Sequence, residues 1–132
     1  MYKIEFSMPA YTSLEQISKN DQTLAIRIYE QLTNRLPYDP YPTNNTDKNN
    51  KFEAMQFKAL VKQGFNVLRL KAANFFQYRV FYIVDERERL IYILEIVKRD
   101  NNTYNLDAQH VATIKDLHDK YYKTKTKTGK KR

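Results

Sequence analysis

The stretch 66–99 constrains this chain most. It contains Asn-Val-Leu-Arg-Leu-Lys, then Gln-Tyr-Arg-Val-Phe-Tyr-Ile-Val-Asp, then Leu-Ile-Tyr-Ile-Leu-Glu-Ile-Val-Lys-Arg. β-Branched, aromatic and leucine side chains fill three runs of strand length, and polar breaks part them at Ala72 to Gln77 and at Asp85 to Arg89. Three such runs with short breaks predict an antiparallel meander. Cations interrupt it at unusual places. Arg69 and Lys71 share one face of the first strand by the period of two, Arg79 breaks the second, and Lys98 and Arg99 close the third.

The flanking segments predict an α+β domain. Tyr2 to Phe6 alternates polar and apolar residues and reads as a short strand. Ser7 is placed to cap a helix over Ala10 to Ser18, with Pro9 in its first turn. Asp21 is placed to cap a second helix carrying the stripe Leu24, Ile28, Leu32 and Leu36. The two form a helical hairpin over one sheet face. Tyr38 to Asn50 has no period and reads as an exposed loop, and Phe52 to Val61 as a short helix or irregular packed segment ending near Gly64. Asp107 is placed to cap a last helix with the stripe Val111, Ile114, Leu117 and Tyr121, and Leu106 to staple against Val111. The expected architecture is an antiparallel sheet of about four strands with an N-terminal helical hairpin and a C-terminal helix. Residues 1–122 form the domain, and 123–132 are a basic, disordered tail.

Size and composition narrow the function. At 132 residues one domain buries roughly two-thirds of its unfolded surface and needs no metal or disulfide staple. Cysteine is absent, which excludes thiolate zinc sites and thiol nucleophiles. With two glycines there is no phosphate-cradling loop of the usual kind. The N-terminus lacks a signal-peptide core and no run of eighteen apolar residues occurs, so a cytoplasmic protein with no membrane partner is expected. The net charge of +8 is uneven. Residues 1–50 carry five cations and six anions, 51–100 ten and six, and 101–132 eight and three. Positive charge concentrated on the sheet and tail points to a polyanion such as nucleic acid.

Few residues suit acid–base chemistry. His110 and His118 share a face of the last helix without a third ligand nearby, which favours a surface or interface role over a metal. Asp85, Glu86 and Glu88 read as a solvated turn, and Glu95 stands out because it breaks an apolar strand. The remaining set is cationic with interleaved tyrosines: Arg69, Lys71, Tyr78, Arg79, Tyr82, Lys98, Arg99 and Tyr104. Cleaving RNA through its own 2′-hydroxyl needs a base, a clamp for the phosphorane and a proton donor. A lysine among cations, arginines and a tyrosine supply those.

The order of a strand, two helices, Leu-Arg-Leu-Lys, a Tyr-Arg-Val-Phe-Tyr-Ile-Val-Asp strand, a strand ending Lys-Arg and a later tyrosine resembles the RelE/ParE superfamily of bacterial type II toxins. In element order the resemblance covers residues 1 to about 105; in motif it covers Leu68 to Tyr104. It implies a RelE-like microbial RNase fold and a ribosome-associated messenger-RNA endoribonuclease that inhibits translation, working without metal or other cofactor and leaving a cyclic phosphate. It implies an antitoxin partner as well as messenger RNA and the ribosome, and no small-molecule cofactor.

Carried over by position, Arg79 is the phosphate-binding arginine, Arg99 the arginine closing the next strand, and Tyr104 the stacking or proton-donating group. Lys71 is the general base, while Arg69, Lys98 and Tyr78 bind RNA. Arg69 stands where such toxins place a lysine, Gln77 replaces a small residue, and the histidine some relatives carry near the chain end is missing. Two other readings share these residues: a ParE-like inhibitor of DNA gyrase, and a non-catalytic RNA- or ribosome-binding module. Cleavage requires Arg79 to lie beside Arg99 and Lys71 on one side of the pleat.

Overall fold

The computed structural model describes residues 1–43, 51–99 and 108–130, the last six of them as backbone only. The chain runs β1 (Lys3–Phe6), α1 (Met8–Asn20), α2 (Gln22–Arg35), β2 (Phe52–Gln56), α3 (Lys58–Val61), β3 (Leu68–Ala72), β4 (Tyr78–Asp85), β5 (Leu90–Lys98) and α4 (Ala108–Lys130). Among the described residues the sheet has five strands in the order β1-β5-β4-β3-β2. β3, β4 and β5 form the antiparallel meander the apolar runs predict. β1 joins the edge of β5 in parallel, so the sheet is mixed and one strand larger than expected. Alternation fixes which face a strand buries but carries no information on its direction.

The extra strand is β2, in the segment read as helical or irregular. Phe52 and Ala54 point to the hairpin side while Glu53 and Met55 take the other, an alternation hidden by its brevity. Gly64 ends the turn after α3 with φ +91°, a conformation glycine tolerates best. The exposed loop is also corrected in part. Pro37, Pro40 and Pro42 are buried, since the Tyr82 hydroxyl donates to the Pro40 carbonyl at 2.8 Å and the Ala54 N–H to that of Pro42 at 2.9 Å. Residues 44–50 lie outside the described residues, as do Tyr104, Leu106 and Asp107.

The helical hairpin forms as its caps predict. The Ser7 side chain accepts from the Ala10 N–H, and Asp21 from the Leu24 N–H, while the Asp21 N–H itself donates to the Ile17 carbonyl and closes α1. One residue thus ends one helix and starts the next. Leu14, Ile17, Ile28 and Leu32 pack on Leu70, Val80, Tyr82, Ile91, Ile93 and Ile96. On the opposite face α4 lays Ile114 and Tyr121 over Phe81, Ile83, Leu90 and Leu94. The helix continues to Lys130, through most of the segment expected to be disordered. A helix already nucleated by packing adds one hydrogen bond per residue fixed, and lysine is a good helix former.

α4 is moored by Asp85, which is buried and not part of a solvated turn. Its Oδ1 accepts from the Arg87 and Glu88 N–H groups and closes the β4–β5 turn, while Oδ2 accepts from the Tyr121 hydroxyl at 2.9 Å. The Tyr121 ring stacks on Tyr92 at 5.1 Å. Glu86, next in the turn, accepts from the hydroxyls of Tyr2 and Tyr41, and those two bonds hold its carboxyl below the ordinary range.

β5 carries a bulge. Phe81 lies opposite Glu95 and Tyr82 opposite Ile93, so Leu94 is an extra residue. Ser7, itself buried, pins it: its N–H donates to the Ile93 carbonyl at 2.9 Å and its hydroxyl to the Leu94 carbonyl at 2.6 Å.

Ser7→Ala removes a cap and the bulge tie together, and urea unfolding should show a loss of about 1–3 kcal/mol. Tyr121→Phe strips one partner from the buried Asp85 carboxylate and should cost about 1–3 kcal/mol in the same measurement.

Candidate functional site

The bulge sets the faces of β5. Ile91 and Ile93 point to the helical hairpin, and after the extra residue Ile96 does so again, which turns Glu95 and Val97 to the α4 side. The next backbone bond, from the Arg99 N–H to the Gln77 carbonyl at 2.6 Å, continues the ladder. Arg99 therefore falls on the α4 side. On β4 the partner of Val97 is Arg79, on the same face as Phe81. On β3 Arg69 is the partner of Phe81, and Lys71 lies two residues further along the same face. On β2 Glu53 is the partner of Lys71 and Met55 of Arg69.

Arg69, Lys71, Arg79 and Arg99 thus converge on one side of the pleat, at the end of the sheet where β3 and β5 finish. Their charges act on one another. Burial, then the neighbouring guanidiniums of Arg99 and Arg69, lower the pKa of Arg79. Burial lowers that of Lys71, and Arg69, Arg79 and Lys51 push the same way, while Glu53 opposes them. Arg79 is held by a hydrogen bond from Nη1 to the Phe76 carbonyl at 3.0 Å. Arg69 lies over the Phe57 ring, 5.9 Å from its centroid, and its buried Nε has no hydrogen-bond partner among the described residues. A patch that lowers the proton affinity of its own lysine attracts anions, phosphate above all.

Two predicted RNA-binding residues lie elsewhere. Tyr78 packs with the core under the helical hairpin, and its cross-strand partner Lys98 takes the same side. Both are therefore on the face opposite Arg79. Strand alternation separates neighbours in sequence, so Tyr78 cannot accompany Arg79, nor Lys98 accompany Arg99. Tyr82 is also on the hairpin face, wholly buried. Tyr104 lies outside the described residues.

The sequence reading missed Glu53 and Lys51, which form an ion pair at 3.5 Å beside Lys71. The alternation of Lys51, Phe52, Glu53 and Ala54 was the available signal. It also left open the partner of Glu95. That carboxylate is buried, with Oε2 2.5 Å from Nδ1 of His110 in the first turns of α4. His118, the other histidine of α4, is buried between the Phe65 and Tyr122 rings, with centroids at 4.9 Å from each. A cleft of about 300 Å³, lined by Leu68, Val84 and Glu86 among others, opens at the far end of the sheet and holds none of the cations.

No family model, characterised protein or solved structure matches the chain. No helix among the described residues is long and apolar enough to cross a membrane. Function is therefore read from the cationic face itself.

The electrostatics predict opposite responses of Lys71 to two substitutions. Arg69→Ala should raise its pKa and Glu53→Gln lower it further, measured by the pH dependence of acylation at that amine. Because the folded amine holds its proton less tightly than the unfolded one, the unfolded chain binds more protons in the window just below the ordinary lysine value. Stability from this group should therefore rise with pH through that window.

Proposed function

We propose that the cationic face binds and cleaves RNA, and that the protein is the toxin of a type II toxin–antitoxin module acting in the cytoplasm on messenger RNA at the ribosome. The observation that supports this reading is the convergence of Arg69, Lys71, Arg79 and Arg99 on one side of the meander, where Arg69 and Arg79 weaken the proton affinity of Lys71, and Arg69 and Arg99 that of Arg79. Four cations so placed repel one another, and a phosphate diester relieves the repulsion. A RelE-like fold is part of the proposal; the mixed α+β sheet between a helical hairpin and a C-terminal helix is compatible with it.

The chemistry follows from the side chains. Lys71, with its pKa lowered, takes the proton of the ribose 2′-hydroxyl. The resulting oxygen attacks phosphorus, and Arg79 and Arg99 hold the non-bridging oxygens as charge accumulates in the phosphorane. The bond to the 5′ oxygen breaks, leaving a 2′,3′-cyclic phosphate and a 5′-hydroxyl. Arg69 adds positive potential on the β3 side and offers its guanidinium, already against Phe57, to an adjoining phosphate or base. Tyr104 keeps the stacking or proton-donating role the resemblance gives it. Lys98 and Tyr78 drop out of the mechanism because they face the hairpin. The antitoxin would cover the cations with an acidic segment, which neutralises them and excludes RNA.

Inducible expression tests the reading. Arrest of translation with cut transcripts is expected. Arg79→Ala, which removes hydrogen bonds to the Phe76 and Tyr78 carbonyls, should abolish both effects with an unchanged melting transition. Arrest with intact messenger RNA and DNA damage signalling would favour the gyrase inhibitor. Salt-sensitive RNA binding without arrest would favour the non-catalytic module.

A further inference from the structure

We infer that Phe76 is the stacking platform for the nucleobase next to the phosphate that Arg79 and Arg99 clamp. This rests on the RNA-binding part of the reading above, and it gives a ligand to a residue that the sequence analysis left in a polar break between strands.

Three observations carry it. First, Phe76 lies at the backbone anchors of both arginines. Its own carbonyl accepts from Nη1 of Arg79 at 3.0 Å, and the carbonyl of Gln77, the next residue, accepts from the Arg99 N–H at 2.6 Å. Second, the ring is open. Phe76 is 59% exposed, whereas the six other phenylalanines are buried or half-buried, and among the described residues no aromatic ring or cation packs on it. Third, the turn that presents it is fixed. A single 3-10 turn, Ala73–Phe75, leads into it. The Ala73 N–H donates to the Lys51 carbonyl at 2.8 Å and Arg27 Nη1 to the Asn74 carbonyl at 3.5 Å, while Phe75 is wholly buried under the helical hairpin. Phe76 stays outside as long as its neighbours are so held.

A lone exposed apolar residue is ordinary on a protein surface. One whose own carbonyl holds a phosphate clamp is not, because each base of RNA hangs from the ribose beside its phosphate. A phosphate gripped by Arg79 and Arg99 therefore carries a flanking base past the turn 73–77. Every base has a flat π face, so an aromatic ring there adds affinity without reading sequence. The arginines grip the charge of the backbone and Phe76 orders the base, which together fix the ribose between them. A ring with two torsions on a rigid turn also loses little freedom on binding. Tyr78, a residue expected to contact RNA, lies under the hairpin on the other face, and Phe76 takes that part at the same end of β4.

The test uses the full chain and a short single-stranded RNA of uridines, its 2′-hydroxyls methylated so that it cannot be cut, with one 2-aminopurine moved along it. Stacking quenches the fluorescence of that base. Wild-type protein should quench it at one position beside the bound phosphate. Phe76→Ala should lift the quenching and weaken binding about 5–150-fold with the melting transition unchanged. Phe76→Leu, which keeps apolar bulk and loses the flat face, should behave like Phe76→Ala, and Phe76→Trp should bind as wild type does. The salt dependence of binding should be the same for Phe76→Ala as for wild type, whereas Arg79→Ala lowers its slope by about one. Deleting the quenched base to leave an abasic site should bring wild type down to the affinity of Phe76→Ala and cost that variant nothing more. Unchanged RNA affinity in Phe76→Ala, full affinity in Phe76→Leu, or a loss that persists in full on the abasic RNA would overturn the assignment while Arg79→Ala still reports on the cationic site. A folded wild-type protein that binds no RNA would remove the RNA reading and this inference with it.

Discussion

The bulge at Leu94 is the feature on which the two faces of this molecule depend. A strand alternates strictly, so without an extra residue Glu95 would follow Ile91 and Ile93 under the helical hairpin, and Arg99 would point to the wrong side of the sheet. One inserted leucine reverses both. It sends Glu95 to His110, returns Ile96 to the apolar core and brings Arg99 onto the face of Arg79. Ser7 holds the inserted residue by its backbone and its hydroxyl while capping α1. The first strand, the first helix and the bulge of β5 are thus coupled through one buried side chain.

A second consequence is a division of labour on the α4 side of the sheet. Near the β4–β5 turn, that face is apolar and covered, with α4 anchored by Tyr121 on Asp85 and by stacked aromatic rings. Toward the other end the same face carries cations with few compensating anions, Glu53 being the neighbour that opposes them at Lys71. Buried apolar surface supplies the stability that such like-charge crowding costs. Glu95 sits on the border, tied to the covered half by His110 and close to the charged half by register.

Much of the architecture was legible in the residues. Ser7 and Asp21 announced the two helix starts, Leu14, Ile17, Ile28 and Leu32 the buried stripe, and three apolar runs the meander, because each is a local pattern tied to a fixed period or cap. The β2 strand was not legible, since its alternation spans only five residues and is sandwiched between a loop and a short helix. Asp85 looked like a turn residue because nothing near it in sequence reveals Tyr121, 36 positions away. Arg69, Lys71, Arg79 and Arg99 were nameable as a group. That Arg99 shares the face of Arg79 was hidden in the continuous apolar run 90–97, whose phase changes at the bulge, whereas the separation of Tyr78 from Arg79 and of Lys98 from Arg99 was available from alternation.

The sequence by itself determined the fold class, the hairpin helices, the meander and the positive charge lodged in it, because periodicity, capping and charge are properties of neighbouring residues. Tertiary structure alone decided that β1 enters the sheet in parallel, that β2 extends it, and which cations share a face. Strand direction, edge pairing and the phase of an apolar strand after a bulge depend on partners distant along the chain, and those partners meet only once the sheet has closed under its helices.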